Sequence, residues 1–327
     1  MQAVDASVRA LLSSRQQAHF DDIVSQRVLG ASKHIQMIGD MMLDIAAQAE
    51  ENDQTAEEVI AGVERLTAFF IATRGEASQA VANALRLMTR TLSKSRGQSL
   101  GVVRQTLADS IADYRRSMDE NLQVIDGCVR QIIQGMSRIL LFDYSSTVAR
   151  IAAIAAESNI TLTCYVPESR ALNGGAPYIC PFAEGGHTVH FIPDSAIYHY
   201  LRRSDAAFIG AETFYPDGRA FNTVGSELVG LLCREFGVPY YVITPLIKAD
   251  MRALHGFQRP PVMLDLTERL EEPLDPRRRG VSVYTCPELV EIPAAYIHAY
   301  ITEDGILTPA NLFTASLNYM RKLEGDK

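Results

Sequence analysis

Proline is absent from the first 136 residues of the chain, whereas the remainder of the sequence holds all 14. Because proline breaks helix interiors, the first stretch can form long uninterrupted helices. Its apolar residues recur at intervals of three and four, which is typical of amphipathic helices. The clearest apolar stripes cover residues 35–45, 59–70, 80–92 and 107–136. We therefore predict an α-helical bundle domain over residues 1–136.

Basic charge is also in short supply, since the net charge is −8 at pH 7. Nucleic-acid-binding faces need clustered lysine and arginine, so direct binding of nucleic acid is not expected. The five cysteines are widely spaced and form no C-x-x-C pair, which predicts reduced thiols in a cytoplasmic protein. The sequence shows no apolar signal-peptide core and no run long enough to span a bilayer, so we expect no membrane segment.

The composition changes at residue 137, where short apolar runs begin to alternate with helical segments. The runs cover residues 137–142, 160–166, 188–192, 206–209 and 239–243. Strands that alternate with helices at this spacing predict a parallel, doubly wound sheet. We expect a Rossmann-like α/β domain over residues 137–327. A further extended segment is expected near residues 281–284, and a final helix over residues 309–322.

Polar or ionisable side chains follow every predicted strand. In an open parallel sheet, ligands bind beyond the carboxyl ends of the strands. Arginine can hold phosphate through two hydrogen bonds, lysine offers a compact charge, and paired carboxylates can transfer protons. The pattern therefore favours a phosphorylated polyol as the ligand. The candidates are Asp143, Ser145, Glu168, Arg170, Asp194, Ser195, Glu212 and Lys248, together with Asn222 in a hairpin after the fourth strand.

Glu212 has the most distinctive surroundings among these candidates. It follows a buried strand and two small residues, and a tight turn at residues 215–218 comes soon after. For Arg170 and Lys248, solvated loop charges are an alternative interpretation. Serine and aspartate also cap helix N-termini whatever the function, an interpretation that fits Ser145, Asp194, Ser195 and Ser226.

A metal or nucleotide site is not expected from the sequence. His187 and His190 form an H-x-x-H pattern, but on a strand they would face opposite sides. The chain also lacks a G-x-G-x-x-G after the first strand, a P-loop and a G-x-S-x-G motif. We therefore predict neither a metal nor an organic cofactor.

The stretch GAETFYPDGRAFNTVGSE, residues 210–227, resembles the pattern "GAD or GAE, then NG, then NKxGT" of the translation initiation factor 2B alpha/beta/delta family. The resemblance extends through residues 27–35, 73–85, 140–147, 165–175, 237–250 and 293–309, and so covers nearly the whole chain. This family contains isomerases of ribose 1,5-bisphosphate and methylthioribose 1-phosphate as well as non-catalytic regulatory subunits. The resemblance implies a helical domain followed by a Rossmann-like domain, and a homo-oligomer that is a dimer or larger.

The resemblance also implies roles for single positions of the sheet domain. Enzymes of the family have a catalytic cysteine where this chain has Asp143 and a catalytic aspartate where it has Glu212. The regulatory alpha subunit is similar to this chain in having glutamate there. The Asn-Lys pair of the enzymes appears here as Asn222-Thr223, without the lysine.

In the helical domain, the Arg-Gly-Ala loop of the family appears as Leu29-Gly30-Ala31, with Arg27 two positions earlier. The resemblance implies that phosphate and hydroxyl groups are held by the residues that match the family pattern. These residues are Gly30, Arg74, Arg170, Asn222 and Lys248.

Our leading hypothesis is an aldose–ketose isomerase of a phosphorylated sugar. In this hypothesis Glu212 and Asp143 serve as base and acid between C1 and C2, and no cofactor is needed. The substrate-binding candidates are Gly30, Arg74, Ser145, Arg170, Asp194, Asn222 and Lys248. The alternative is a non-catalytic sugar-phosphate-binding subunit similar to the regulatory subunits of initiation factor 2B, and a third hypothesis is an epimerase or lyase that acts on a related phosphate.

Overall fold

The computed structural model of the chain describes residues 6–28, 30–271, 277, 279–280 and 282–324. The described residues divide into two compact units. The helical unit comprises those of Met1–Glu120, Ile247–Ala249 and Asn318–Lys327, and the sheet unit comprises those of Asn121–Leu246 and Asp250–Leu317. The first strand begins at Arg138, one residue after the predicted boundary, whereas the sheet unit already begins at Asn121. A division into two independent domains at residue 137 stays a prediction.

Amphipathic helices build the helical unit around a shared apolar core. Phe20 lies at its centre and stacks on Phe69 with ring centroids 5.1 Å apart. Thr55 and Glu58 form a capping box at the start of one helix, which satisfies two otherwise unpaired N–H groups. The helices are α1 (Ala6–Arg9), α2 (Ser14–Val24), α3 (Ala31–Gln48), α4 (Ala56–Phe70), α5 (Gln79–Thr89) and, as far as Glu120, α6 (Leu100–Ile132).

The four predicted apolar stripes correspond to α3, α4, α5 and α6, which confirms the helical character of this part of the chain. The sequence did not predict α1 and α2. The long helix α6 begins at Leu100 and ends at Ile132, before the predicted end at residue 136. None of the described helices combines the length and the apolar composition needed to cross a bilayer.

The sheet unit consists of strands that alternate with helices over its first half. In chain order the elements are β1 (Arg138–Leu141), α7 (Ser146–Ala149), α8 (Ile151–Glu157), β2 (Thr163–Pro167), α9 (Ile179–Glu184), β3 (Thr188–Ile192), α10 (Ile197–Leu201), β4 (Ala206–Ile209), β5 (Thr213–Phe214), β6 (Ala220–Thr223), α11 (Ser226–Phe236) and β7 (Tyr240–Ile243). The second half adds β8 (Met263–Asp265), α12 (Thr267–Glu271), β9 (Thr285–Pro287), β10 (Leu289–Ile292), β11 (Ala299–Thr302), β12 (Gly305–Leu307) and α13 (Leu312–Glu324).

Among the described residues, the main sheet has seven strands in the order β12-β11-β7-β4-β1-β2-β3. All neighbours are parallel except β12, which runs antiparallel to β11. The chain moves outward from β1 to β2 and β3 and then returns to the other side of β1 as β4. Strand order therefore reverses between β1 and β4, and this switch point is where doubly wound sheets bind their ligands.

One face of the main sheet is covered by helices that share a continuous core with it. Ile125 and Val129 of α6 belong to the same buried cluster as Ile139, Ile151 and Phe182. Burial on both faces explains why β1, β4 and β7 read as short uninterrupted apolar runs. The parallel, doubly wound architecture predicted from these runs is confirmed.

The prediction for the tail was wrong about its strands. Val281 lies outside the described residues, residues 282–284 are not in a strand, and β9 begins only at Thr285, where it pairs with β8. The sixth parallel strand is β11, which lies beside β7. Its four residues are all buried and lack any alternation that would separate them from the surrounding turns. The final helix, α13, begins at Leu312 because residues Pro309–Asn311 form a separate turn.

Candidate functional site

The exits of β1 and β4 lie side by side at the switch point. Leu141 pairs with Phe208 in register, and the Phe142 N–H donates to the Phe208 carbonyl at 3.2 Å. Gly210 follows β4, and a Cβ there would lie 2.5 Å from Ser145 Oγ, so only glycine permits this approach. The two chain segments that carry Asp143 and Glu212 therefore leave the sheet as neighbours.

Asp143 is the buried carboxylate of this site, with 8% of the residue exposed. Its backbone is left-handed, with φ of +55°, a conformation that aspartate tolerates better than most residues. Oδ1 accepts a hydrogen bond from Ser169 Oγ at 3.0 Å, and Oδ2 accepts one from Thr223 Oγ1 at 2.8 Å. Gly174 completes the enclosure, because a Cβ at that position would lie 1.9 Å from Oδ1. We call Ser169, Gly174 and Thr223 the Asp143 cradle.

The surroundings of Asp143 stabilise its protonated form relative to that of an exposed aspartate. Burial raises the pKa of Asp143 above its ordinary value, and the nearby charge of Asp194 adds to the rise. Hydrogen bonds from Thr223, Ser169 and the Tyr144 N–H act in the opposite direction but do not cancel the effect of burial. A carboxyl group of this kind is suited to donate a proton.

The turn after β1 is also held through its backbone. The hydroxyl of Tyr178 donates to the Asp143 carbonyl at 2.7 Å and accepts from the Ser145 N–H at 2.9 Å. Burial raises the pKa of Tyr178 well above its ordinary value, so this hydroxyl stays a neutral donor. The tyrosine therefore fixes the path of the chain on both sides of Tyr144.

Asp194 anchors the loop after β2. Its Oδ1 accepts from the Ser169 N–H and its Oδ2 from the Arg170 N–H, both at 2.9 Å. These bonds fix Ser169 in a left-handed conformation, with φ of +47°, and so aim its hydroxyl at Asp143. The side chain of Arg170 is 49% exposed and lies 3.5 Å from Glu168. Arg170 is thus available to an anion in solution.

Asn222 and Thr223 are adjacent in β6, so their side chains lie on opposite faces of the strand. The Asn222 amide donates to Ser226 Oγ at 3.1 Å, and the Ser226 carbonyl accepts from the Tyr240 hydroxyl at 2.9 Å. Gly225 joins β6 to α11 with φ of +102°, and a Cβ there would lie 2.7 Å from the ring of Phe142. Asn222 is therefore a buried residue with a fixed side chain.

The helix-cap interpretation describes these polar residues only in part. Ser145 occupies the N-cap position of α7, but its hydroxyl pairs with Thr147 Oγ1 at 2.8 Å and makes no cap hydrogen bond. Ser226 is the first residue of α11 rather than its cap. Ser195 is exposed in the turn Asp194–Ala196.

Glu212 stands apart from the cradle in its hydrogen bonding. Its N–H donates to the Phe221 carbonyl at 2.9 Å, which fixes the backbone beside the hairpin of β5 and β6. The residue is half-buried, and within the part of the chain that the structure describes its carboxylate forms no hydrogen bond or ion pair. A carboxylate with free lone pairs is suited to accept a proton.

The helical unit contains the remaining predicted residues: Gly30, Arg74 and Lys248. Gly30 is exposed at the start of α3 with φ of +96°, while Leu29 before it lies outside the described residues. Arg27, two positions before Leu29, does not take the place of the arginine in the family loop, because its guanidinium forms an ion pair with Asp22 at 2.9 Å.

Arg74 lies in a π-helical turn, Ile71–Gly75, which follows directly after α4. Such turns are frequent at functional sites because they redirect a side chain. Gly75 packs tightly here, since a Cβ would lie 2.9 Å from that of Ala82. The guanidinium donates to the Val24 carbonyl at 2.9 Å, and burial lowers the pKa of Arg74.

His187 and His190 do not form one site. The Leu162 N–H donates to Nδ1 of His187, and Nε2 donates to the Ala152 carbonyl at 2.9 Å. Both ring nitrogens of His187 are therefore used by the backbone. His190 lies on β3 beside the ring of Tyr165.

The cradle residues were not among the predicted site residues. Ser169 stands between the two predicted residues Glu168 and Arg170, and Gly174 belongs to a glycine pair. Thr223 occupies the position where the family pattern has lysine. The sequence signal that indicates Ser169 is its place directly after β2. Three polar residues follow this strand in a row, so more than one of them can contribute to the site.

Comparison with known proteins gives the family. A model described as the Initiation factor 2 subunit family matches residues 30–309. A ribose 1,5-bisphosphate isomerase from Haloterrigena turkmenica is 22% identical over 315 residues, which cover 94% of this chain and 93% of that protein. A 5-deoxyribose 1-phosphate isomerase from Moorella thermoacetica is 29% identical over 170 residues, or 51% of this chain, and the match spans only 48% of that relative.

Solved structures agree on the fold. A 5-methylthioribose 1-phosphate isomerase from Pyrococcus horikoshii superposes with a TM-score of 0.75 at 19% identity, covering 97% of this chain and 88% of that one. The translation initiation factor eIF-2B from the same organism gives a TM-score of 0.72 at 20% identity, covering 91% and 98%. Because the family model spans most of the sequence, the chain belongs to the Initiation factor 2 subunit family.

Proposed function

We propose that this protein is an aldose–ketose isomerase of a phosphorylated sugar, with Asp143 as general acid and Glu212 as general base. The observation that carries the proposal is the contrast between the two carboxylates at the switch point. Burial raises the pKa of Asp143, whereas the carboxylate of Glu212 is half-buried with no hydrogen-bond partner among the described residues. In the proposal, the buried carboxyl group is the acid and the carboxylate without a hydrogen-bond partner is the base.

The proposed reaction begins with an aldose 1-phosphate in its ring form. Glu212 removes the proton from C2, the electron pair forms the C1=C2 double bond, and the bond from C1 to the ring oxygen breaks. Asp143 gives its proton to that oxygen. The enol then accepts the proton of Glu212 at C1 and loses its O2 proton to Asp143, which yields a ketose 1-phosphate and restores both carboxyl groups.

The relatives and the charged residues support a phosphorylated substrate. Relatives that match this chain are named isomerases of ribose 1,5-bisphosphate and of 5-deoxyribose 1-phosphate. In the proposal, Arg170 supplies a cation beyond β2, and Gly30, Arg74 and Lys248 keep their predicted role in holding phosphate. Ser145, Asn222 and Asp194 keep their predicted role around the sugar, the last through the loop that it anchors.

The test is turnover of three candidate sugars by the purified protein. Ribose 1,5-bisphosphate, 5-deoxyribose 1-phosphate and methylthioribose 1-phosphate are incubated with the protein, and ketose formation is followed by NMR. We expect conversion of at least one, with deuterium at C1 when the reaction runs in D2O. We expect Asp143→Asn and Glu212→Gln to bind the same sugar but to lose about 10²–10⁴-fold in kcat. Binding of all three sugars without any conversion would refute the isomerase.

A second candidate function is a non-catalytic sugar-phosphate-binding subunit. The observation in its favour is that both oxygens of Asp143 already accept hydrogen bonds from Thr223 and Ser169. A carboxylate held in this way can have a purely structural role, in which it links the segments that follow β1, β2 and β6. Tight binding without turnover, unchanged in Asp143→Asn, would select this function.

We further propose that the protein is a homo-oligomer located in the cytoplasm. All five cysteines are free thiols, which is compatible with a reducing compartment. Sedimentation at several protein concentrations would test the oligomeric state. A single species with the mass of one chain, 36.1 kDa, would contradict it.

A further inference from the structure

Asn83 on α5 is a buried amide that is bound to both sides of one lysine. Only 4% of the residue is exposed. Its Nδ2 donates to the carbonyl of Ile247 at 2.9 Å and to the carbonyl of Ala249 at 3.2 Å. These are the two residues that flank Lys248. Both hydrogens of the amide are therefore used on the segment that carries the lysine.

The orientation of this amide is itself fixed. Arg86, one helical turn further along α5, donates from NH1 to Asn83 Oδ1 at 3.1 Å. With the oxygen held by a guanidinium, the NH2 group must face residues 247–249. Those three residues belong to the helical unit together with α5, although the chain reaches them directly from β7 of the sheet.

We propose that Asn83 is a positioning residue for Lys248. It holds the backbone on both sides of the lysine, so that the ammonium group is presented to phosphate in one fixed place. The inference deepens the proposed function, since it rests on Lys248 as a phosphate ligand. A lysine side chain has many rotatable bonds between the backbone and the ammonium group. Fixing the backbone of Lys248 reduces the entropy that is lost when the ammonium group binds an anion.

The structure offers a nearly isosteric perturbation. Asn83→Asp replaces the donating NH2 group with an oxygen, which would face two carbonyl oxygens. Residues 247–249 must then move away, although the volume of the side chain is almost unchanged. Asn83→Ala is the second variant, since it removes the donors without adding a repulsive group and keeps the test valid if Asn83→Asp fails to fold.

The experiment is a double-mutant cycle read through the binding of inorganic phosphate, measured by titration calorimetry. Losing a charge-assisted hydrogen bond weakens binding by about 10- to 100-fold, so we expect this loss for Lys248→Ala. We expect a loss of similar size for Asn83→Asp and a smaller one for Asn83→Ala. In the Lys248→Ala background neither change at Asn83 should weaken binding further, because the group that it positions is gone.

The matched control is Thr89→Val on the same helix. Thr89 Oγ1 donates only to the Leu85 carbonyl of its own helix, so its loss should leave the phosphate affinity unchanged. Additive losses in the cycle, an unaltered affinity in Asn83→Asp, or absence of phosphate binding by the parent protein would each overturn the role of Asn83. Turnover is measured separately. If no sugar is converted but the losses in the cycle are non-additive, the isomerase is refuted and the positioning role of Asn83 is retained. If a sugar is converted but the losses are additive, only the positioning role of Asn83 is refuted.

Discussion

Replacing Thr223 with valine tests whether the cradle sets the protonation of Asp143. Valine has nearly the shape of threonine but lacks the hydroxyl that donates to Oδ2 of Asp143 at 2.8 Å. Both residues are buried, so water does not replace the lost donor. A hydrogen bond to a charged group contributes about 1.5 to 3 kcal/mol. Because this bond favours the ionised form of Asp143, its loss should raise the pKa of Asp143 further.

The consequence for stability depends on pH in a defined direction. Burial already raises the native pKa of Asp143 above the value in the unfolded chain. Between these two values the native state binds more protons than the unfolded state, so stability falls as the pH rises through this window. Thr223→Val moves the upper end of the window further up. The variant should therefore be destabilised by about 1.5 to 3 kcal/mol at pH values where Asp143 is ionised in both states, but by only about 0.5 to 1.5 kcal/mol at pH values where Asp143 is protonated in both states.

The assay is urea unfolding of parent and variant at several pH values, together with NMR titration of the aspartate carboxyl carbons. Thr223→Ser keeps the hydroxyl and should follow the parent protein. Thr147→Val is the matched control, because Thr147 Oγ1 donates to the neutral carbonyl of Ile243 at 3.1 Å and its loss should cost the same at every pH. If the cost of Thr223→Val is equally independent of pH, the hydroxyl does not act on the charge of Asp143 and the assignment of the acid is unsupported.

Three further predictions concern packing and buried charge in the same chain. Gly174→Ala should destabilise the protein by about 1 to 3 kcal/mol in urea unfolding, since its Cβ would lie 1.9 Å from Asp143 Oδ1. The control is Gly101→Ala near the start of α6, which should not destabilise the protein because its Cβ would meet no described atom within 4 Å. Arg252→Ala should cost about 3 to 5 kcal/mol, because it leaves the fully buried Asp250 without its guanidinium at 2.8 Å, and Asp250→Asn in the same chain should recover part of this loss. Thiol labelling followed by mass spectrometry should modify the exposed Cys180 well before Cys164, since burial raises the pKa of Cys164 to about 12. Equal labelling rates would contradict the burial of Cys164.

The sequence predicted the sheet better than the contacts at its edge. The strands of the first half were found because β1, β4 and β7 are buried on both faces and so read as compact apolar runs between turn residues. Parallel strands end at one edge, and this rule alone brought Asp143, Asp194 and Glu212 into one candidate site. The strand β11 was not predicted, because its four residues are all buried and show no alternation of apolar and polar side chains.

The partners of Asp143 could not be read from local patterns. Ser169 is 26 positions away and Thr223 is 80 positions away, so neither pairing follows from spacing within an element. They meet Asp143 only because the β2 loop is fixed by Asp194 and because β6 pairs with β5 and β10 behind the β4 exit. The need for glycine at position 174 also could not be predicted from the sequence. It arises because Oδ1 of Asp143, which follows a different strand, lies where a Cβ would be.

The two departures from the enzyme pattern at positions 143 and 223 are best understood as one change. A lysine at position 223 would bring a positive charge on a longer side chain than that of Thr223, and a positive charge near Asp143 favours an ionised carboxylate. Asp143 would then have a lowered pKa and would ionise more readily. Threonine keeps the hydrogen bond that orients the carboxyl group but brings no charge, so burial still dominates and the pKa of Asp143 stays raised. The absence of the lysine is therefore compatible with acid catalysis by Asp143, provided that the carboxylate of Glu212 is left to accept the proton.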